Sequence, residues 1–264
     1  MNAMYRREVV NRLAFIDTKL PGWVSTLSLI GLIVLWEVVC RLSSVPELYL
    51  PSPSAIVVTS WDMLVSGELL TNAKASLYRI GWGFFIGSIA GILLGLATGF
   101  FRLAEAVGNP LVHALYPIPK IALLPLIILW LGIGELSKVT IISLGVFFPV
   151  IINTYSGVKN VDPLLIKAAV AFRASRLSII RKVILPGALP VIFAGLKLAA
   201  GTSLLLLVAA EMIAAKEGIG AMILHYGDLM LTTKLMVGVL ALSLLGIAFN
   251  YSLNWLEKRL ISWR

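Results

Sequence analysis

The sequence predicts an all-α membrane protein with six transmembrane helices, and three observations carry that prediction. The first is composition: 59% of the 264 residues are hydrophobic, only 13% are charged, and the mean hydropathy is +0.96. Soluble domains are about half apolar and a quarter charged. The second is a set of six segments that approach the roughly 20 apolar residues needed to cross a bilayer, at 24–39, 80–101, 106–131, 139–158, 191–214 and 235–255. The third is a basic, helix-patterned insertion, 161–190, between the fourth and fifth segments.

The chain reads as one membrane domain, 1–264, with an N-terminal segment at 1–22, an outer loop at 43–78 and an inner loop at 159–190. Arg6, Arg7, Arg12 and Lys19 precede the first span, and no small-residue cleavage site follows it, so the span is expected to be retained. Six spans put both termini on one side. With the termini in the cytoplasm, fourteen Lys and Arg fall in inner segments against six in outer ones, the asymmetry of the positive-inside rule. The net charge of +9 therefore reads as loops facing anionic lipid, with no nucleic-acid-binding motif.

Several chemistries are excluded by what the chain lacks. Cys40 is the one cysteine, so no intrachain disulfide can form. Two histidines, His113 and His225, are too few and too far apart for a metal or catalytic cluster. No nucleophile has a nearby base, which argues against a membrane-embedded enzyme. No G-x-x-x-x-G-K-[ST] occurs, so ATP chemistry would have to come from a partner.

In the second span Gly83, Gly87, Gly91, Gly95 and Gly99 recur every four residues along one helix face, a groove that admits another helix closely. The third span carries Pro110, Pro117, Pro119 and Pro125. Each removes a backbone donor, and the carbonyls thus freed need a neighbouring helix or a water-filled cavity. Broken helices of this kind often line substrate pathways. Lys120 within the break should face a cavity, a carboxylate or the membrane boundary, because an unpaired charge in lipid is costly. Pro117, Pro119, Lys120, Pro125 and Glu211 are accordingly the candidate substrate-path residues. Lys197 is expected to snorkel to the inner interface, and Glu37 to be a peripheral or packing charge.

In the outer loop Ser52 can cap a helix that starts at Pro53. Ile56, Val57, Trp61 and Leu64 would give it an apolar side at the membrane surface. In the inner loop Asp162 is a suitable N-cap and Pro163 a suitable first residue, with Leu164, Leu165, Ala168, Ala169 and Phe172 as an apolar stripe. A second short helix can begin after Ser175, expose Leu177, Ile180 and Val183, and end before Pro186. Two short helices at an angle make a knob for a groove on another protein. An amphipathic hairpin on the inner leaflet is the alternative, attracted by Arg173, Arg176, Arg181 and Lys182.

The inner loop, with Lys167-Ala168-Ala169, Arg173 and Val183-Ile184-Leu185-Pro186, resembles the E-A-A-x3-G-x9-I-x-L-P loop through which ABC-importer permeases grip their ATPase. Further segments are similar to permeases of the nitrate, sulfonate and taurine importer family. These are Leu50-Pro51-Ser52-Pro53-Ser54, 118–132 around Pro119-Lys120-Ile121, Phe148-Pro149 and Ala209-Ala210-Glu211-Met212-Ile213, with Gly218-Ile219-Gly220 following.

The resemblance implies a type I ABC permease fold with a coupling helix between spans four and five, in a bacterial inner membrane. The ATPase-docking residues it implies are Lys167, Ala168, Ala169, Phe172, Arg173, Ser175, Arg176, Leu185 and Pro186. It also implies a second permease in a homodimer or heterodimer, two cytoplasmic ATPases carrying ATP and Mg, and an external solute-binding protein. No cofactor or metal would be bound by this chain. The implied solute is a small anion such as nitrate, taurine or another sulfonate. A neutral pyrimidine- or flavin-like solute is one alternative; an ATP-independent transporter or channel is another. Two positions depart from the family pattern: Lys167 replaces its glutamate and Arg173 its glycine, the latter at a turn where a left-handed residue would cost about 1–2 kcal/mol relative to glycine.

Overall fold

The computed structural model describes residues 22–42 and 46–261. The expected inner N-terminal segment, apart from residue 22, lies outside the described residues. The first helix, α1 (Gly22–Leu42), has 21 residues and is about 30 Å long at 1.5 Å per residue. Its large apolar side chains are mostly exposed, as a lipid-facing helix requires. Glu37 ties it to the next helix, α2 (Pro53–Val65): its carboxylate accepts from the Ser54 amide at 3.0 Å, the Ser54 hydroxyl at 2.8 Å and Arg41 Nε at 2.6 Å.

Helix α2 starts where the sequence places it, with the Ser52 hydroxyl accepting from the Ala55 amide at 3.3 Å and Pro53 in the first turn. Part of its apolar surface packs on protein. Ile56 and Met63 enter a core cluster with Leu69, Ile219, Met222, Tyr226 and Val237, whereas Val57, Trp61 and Leu64 are exposed. The helix is thus held by protein on one side, not merely laid on a membrane surface.

Helices α3 (Glu68–Phe100), α6 (Glu135–Lys159) and α9 (Leu185–Ala214) form the centre of the molecule. The glycine stripe of α3 sets how closely α6 approaches. An added Cβ would lie 2.5 Å from Ile142 Cγ2 at Gly83, 2.5 Å from the Ser143 carbonyl at Gly87 and 2.9 Å from the Phe147 carbonyl at Gly91. At Gly95 and Gly99 it would meet Thr154 Cβ at 2.6 Å and Val158 Cβ at 2.8 Å. Ile141, Val146 and Val150 of α6, the two valines on the side that meets Gly87 and Gly91, join a core completed by Ala188, Ala199, Leu207 and Ala210 of α9.

Between α3 and α6 the chain forms α4 (Arg102–Leu115), a 3-10 turn (Lys120–Leu123) and α5 (Leu124–Leu131). The two halves are bent by 88°, so the expected third span is broken at Tyr116 to Pro119. Among the described residues, four helices are individually long and apolar enough to cross a membrane, and this bent pair makes a fifth if it is one span.

The inner loop forms α7 (Pro163–Ala171) and α8 (Arg176–Ile179), the latter continuing through a π-helical turn (Ile180–Ile184) into α9. The second short helix was expected to end before Pro186. Instead the Leu185 amide donates to the Ile180 carbonyl across the π turn, and Pro186 sits in the first turn of α9, where a missing N–H is tolerated. Helix α10 (Ile219–Asp228), not foreseen from the sequence, leads to the peripheral α11 (Thr232–Leu260). Tyr226 on α10 donates to the Glu68 carboxylate at the start of α3. Burial, followed by that carboxylate, pushes its phenol up to about 12.

Candidate functional site

Three constellations stand out, at the inner loop, at the break in the third span, and at the far end of α9. In the inner loop Asp162 caps α7, accepting from the Leu164 amide at 2.8 Å. The helix closes with Arg173 at φ +54°, while the Arg173 amide donates to the Val170 carbonyl at 2.9 Å and the Ala174 amide to the Ala169 carbonyl at 3.1 Å. This pair of bonds is the Schellman closure, whose left-handed position favours glycine. The turn therefore does need the left-handed residue that the sequence comparison suggested. Ser175 then caps α8, its hydroxyl accepting from the Ser178 amide at 3.3 Å.

The knob so formed leaves apolar side chains uncovered. Phe172 is 87% exposed, and Leu164, Leu165, Val170 and Leu177 are exposed around it. Lys167, Ala168, Arg173, Ser175 and Arg176 are also exposed, whereas Ala169, Leu185 and Pro186 are half-buried and serve partly to hold the knob together. Ile179 turns inward and is buried.

At the break, Lys120 has a specific task. Its ammonium donates to the carbonyls of Leu115 at 3.1 Å, Tyr116 at 2.5 Å and Ile118 at 2.8 Å, and lies 4.2 Å from the centre of the Phe148 ring. A helix end leaves its last carbonyls without partners, and a cation there also opposes the helix dipole. The prolines create the break and Lys120 caps it. Beside it is a cavity of about 290 Å³ lined by Tyr116, Lys120, Gly145, Phe148, Pro149, Thr202, Leu205 and Leu206. Of the expected path residues only Lys120 borders this cavity. Pro117, Pro119 and Pro125 are exposed and shape the backbone of the bend.

Glu211, another of the expected path residues, is fully buried at the far end of α9. Its carboxylate accepts from Arg79 at 2.7 Å, from the Ser76 hydroxyl at 2.8 and 3.0 Å, and from the Gly220 amide at 2.8 Å. Arg79 also donates through Nε and the other terminal nitrogen to Glu135 of α6, at 2.6 and 2.8 Å, and to the Glu217 carbonyl at 2.6 Å. Three helices and the α9–α10 connection thus meet on one guanidinium. Gly218 is at φ +130°, and a Cβ there would lie 2.5 Å from the Glu211 carboxyl and 2.6 Å from Arg79. Lys197, expected to snorkel, is paired with Glu257 of α11 at 2.5 Å.

A second span beginning at residue 80 leaves Arg79 outside it, whereas α3 begins at Glu68 and carries Arg79 within the helix. The signal was present in Asn72, Ser76 and Arg79, polar residues at i, i+4 and i+7 on one face of α3. Asn72 accepts from the Gly218 amide at 2.8 Å, and the Ser76 hydroxyl accepts from the Ile219 amide at 2.9 Å.

Residues 83–262 match the family described as the binding-protein-dependent transport system inner membrane component. The chain belongs to this family. Among its curated relatives is a putative aliphatic sulfonates transport permease of Bacillus subtilis, 36% identical over 92% of this chain and 88% of the relative. The taurine transport system permease of Escherichia coli is 34% identical over 88% of this chain and 86% of its own length. Among solved structures, a chain of an inward-facing methionine ABC transporter superposes with a TM-score of 0.63 at 20% identity, covering 74% of this chain and 97% of that one. A chain of an amino acid ABC transporter gives 0.57 at 16% identity, covering 75% and 96%. The expected type I importer permease fold is therefore the observed one, and this family member is a multi-pass protein of the inner membrane.

Proposed function

We propose that this permease imports a small organic anion, a sulfonate of the taurine class, driven by ATP hydrolysis on two partner ATPases that dock at the knob. The exposed apolar surface around Phe172, supported on two capped helices, is the observation that carries the reading. A soluble-side protrusion with so large an uncovered aromatic group fits a groove on another protein. The relatives named for aliphatic sulfonates and taurine support the solute class. In this reading a solute-binding protein delivers the anion from outside, and ATP and Mg sit on the ATPases. A second copy of the permease completes the path against the exposed apolar side chains of α4 and α5, including Leu103, Val107, Leu111, Leu129 and Trp130. Both termini and the knob face the cytoplasm, consistent with the charge asymmetry of the loops.

Phe172→Asp tests the reading. Burying a phenylalanine contributes roughly 1.5–3 kcal/mol, and an aspartate in the same contact adds an uncompensated charge. Co-purification with the ATPase should fall by about two orders of magnitude or more, taking taurine uptake into proteoliposomes with it. Since Phe172 touches little of its own chain, the variant should remain folded. Retained co-purification and uptake would overturn the docking assignment.

A further inference from the structure

We propose that Lys120 is a displaceable cap: its ammonium exchanges between the carbonyls that end α4 and the anionic head group of a solute in the adjoining cavity. This rests on the sulfonate-importer reading and adds to it a binding site and a consequence for the bend. All three ammonium N–H groups are committed to backbone carbonyls of neutral amides. A sulfonate or carboxylate carries a full negative charge, and so adds to the hydrogen bond a Coulomb attraction for the ammonium that a neutral carbonyl lacks. The cavity offers room on the low side for a ligand site, about 290 Å³ against roughly 300–1,000 Å³ for typical small-molecule pockets. Phe148, Pro149, Leu205 and Leu206 give it apolar walls, and Tyr116 and Thr202 add hydroxyl-bearing side chains. That lining suits a small anion with a short aliphatic tail. When the ammonium turns to such an anion, the Leu115, Tyr116 and Ile118 carbonyls lose their shared partner, and the 88° bend loses what fixes it. Solute entry and the geometry of the broken span are thereby linked through one side chain.

The test uses the assembled transporter in nanodiscs with Leu205→Cys as the single cysteine in a Cys40→Ser background. Modification by a sulfonate-bearing thiosulfonate reagent is compared with modification by its quaternary-ammonium counterpart, normalised to their rates with free thiol. A focused positive site should favour the anionic reagent by about 10-fold or more, and millimolar taurine or ethanesulfonate should slow the reaction several-fold. Lys120→Met should remove both effects. Lys120→Gln, which keeps an amide donor for the carbonyls but no charge, should remove them while retaining the thermal stability of the parent. If neither reagent is preferred, or both effects persist in the Gln variant, the proposal is overturned. Taurine uptake without taurine protection would also overturn it and leave the importer reading standing. Protection by ethanesulfonate with no uptake of any sulfonate would support the site and refute the import of sulfonates.

Discussion

Replacing Arg79 with methionine should be among the most damaging single changes in this protein, by an amount that the burial of its partners determines. Arg79 is 4% exposed and Glu211 fully buried, whereas Glu135 is 49% exposed. Removing one partner of a buried pair leaves the other charge uncompensated, at about 3–5 kcal/mol, while an exposed pair is worth at most about 1 kcal/mol. Arg79→Met should therefore cost about 3–5 kcal/mol, and Glu135→Gln no more than about 1 kcal/mol. At roughly 2–4 °C per kcal/mol for a chain of this size, the first should lower the melting temperature by about 10 °C and the second by a few degrees at most. The double variant Arg79→Met, Glu211→Gln should recover part of the loss, because position 211 then buries no charge and Glu135 keeps Lys138 at 3.3 Å. Thermal unfolding in detergent, followed by tryptophan fluorescence, reads the parent, these three variants and Glu211→Gln alone, which completes the cycle. If Arg79→Met proves no worse than Glu135→Gln, or the double variant loses the sum of its parts, Glu211 does not depend on Arg79 for its charge.

The glycine stripe contains its own control: Gly87→Ala places a methyl group 2.5 Å from the Ser143 carbonyl, whereas Gly81 has nothing within 4 Å. Gly87→Ala should destabilise by about 1–3 kcal/mol, and Gly81→Ala should be neutral or stabilising by up to about 1 kcal/mol; equal melting temperatures would contradict the close approach of α3 and α6. Arg173→Gly should stabilise the turn after α7 by about 1–2 kcal/mol, seen as slower amide exchange at Arg173 and Ala174, with unchanged exchange counting against strain at φ +54°. In intact cells an impermeant thiol reagent should modify a cysteine at position 54 or 217 and not one at 176; external labelling at 176 would reverse the orientation of the knob.

The sequence was most informative where one residue type does one local job. Asp162, Ser175 and Ser52 cap the helices that they were expected to cap, because capping needs only a side-chain oxygen two or three residues from an orphan amide. The glycine period announced a close helix contact but not its partner, which depends on tertiary packing. Glu211 and Lys120 show where such reading stops short of a charge's partners. Both were placed on a solute path because a charge in a span invites that inference. Their actual partners, Arg79 in one case and three carbonyls in the other, were concealed: Arg79 lies 132 residues from Glu211, and backbone carbonyls carry no sequence signal. Helix α10 gives no spanning signal, because its ten residues are too few to cross a bilayer.

The continuity of α8, the π turn and α9 gives the molecule a lever of fixed length. From Arg176 to Ala214 the helix counts 39 residues, or about 58 Å at 1.5 Å per residue. One end begins in the knob, two residues after Ala174, and the other carries Glu211 into the grip of Arg79. A tilt of about 10° around its middle would sweep each end through about 5 Å, close to the rise of one helical turn. The carboxylate of Glu211 lies 2.7 Å from its guanidinium and has no such tolerance. Any stroke applied at the knob must therefore either carry α3 and α6 along as a block or tear the carboxylate free. Arg79 thus decides whether the far end of the lever acts as a fulcrum or as a load.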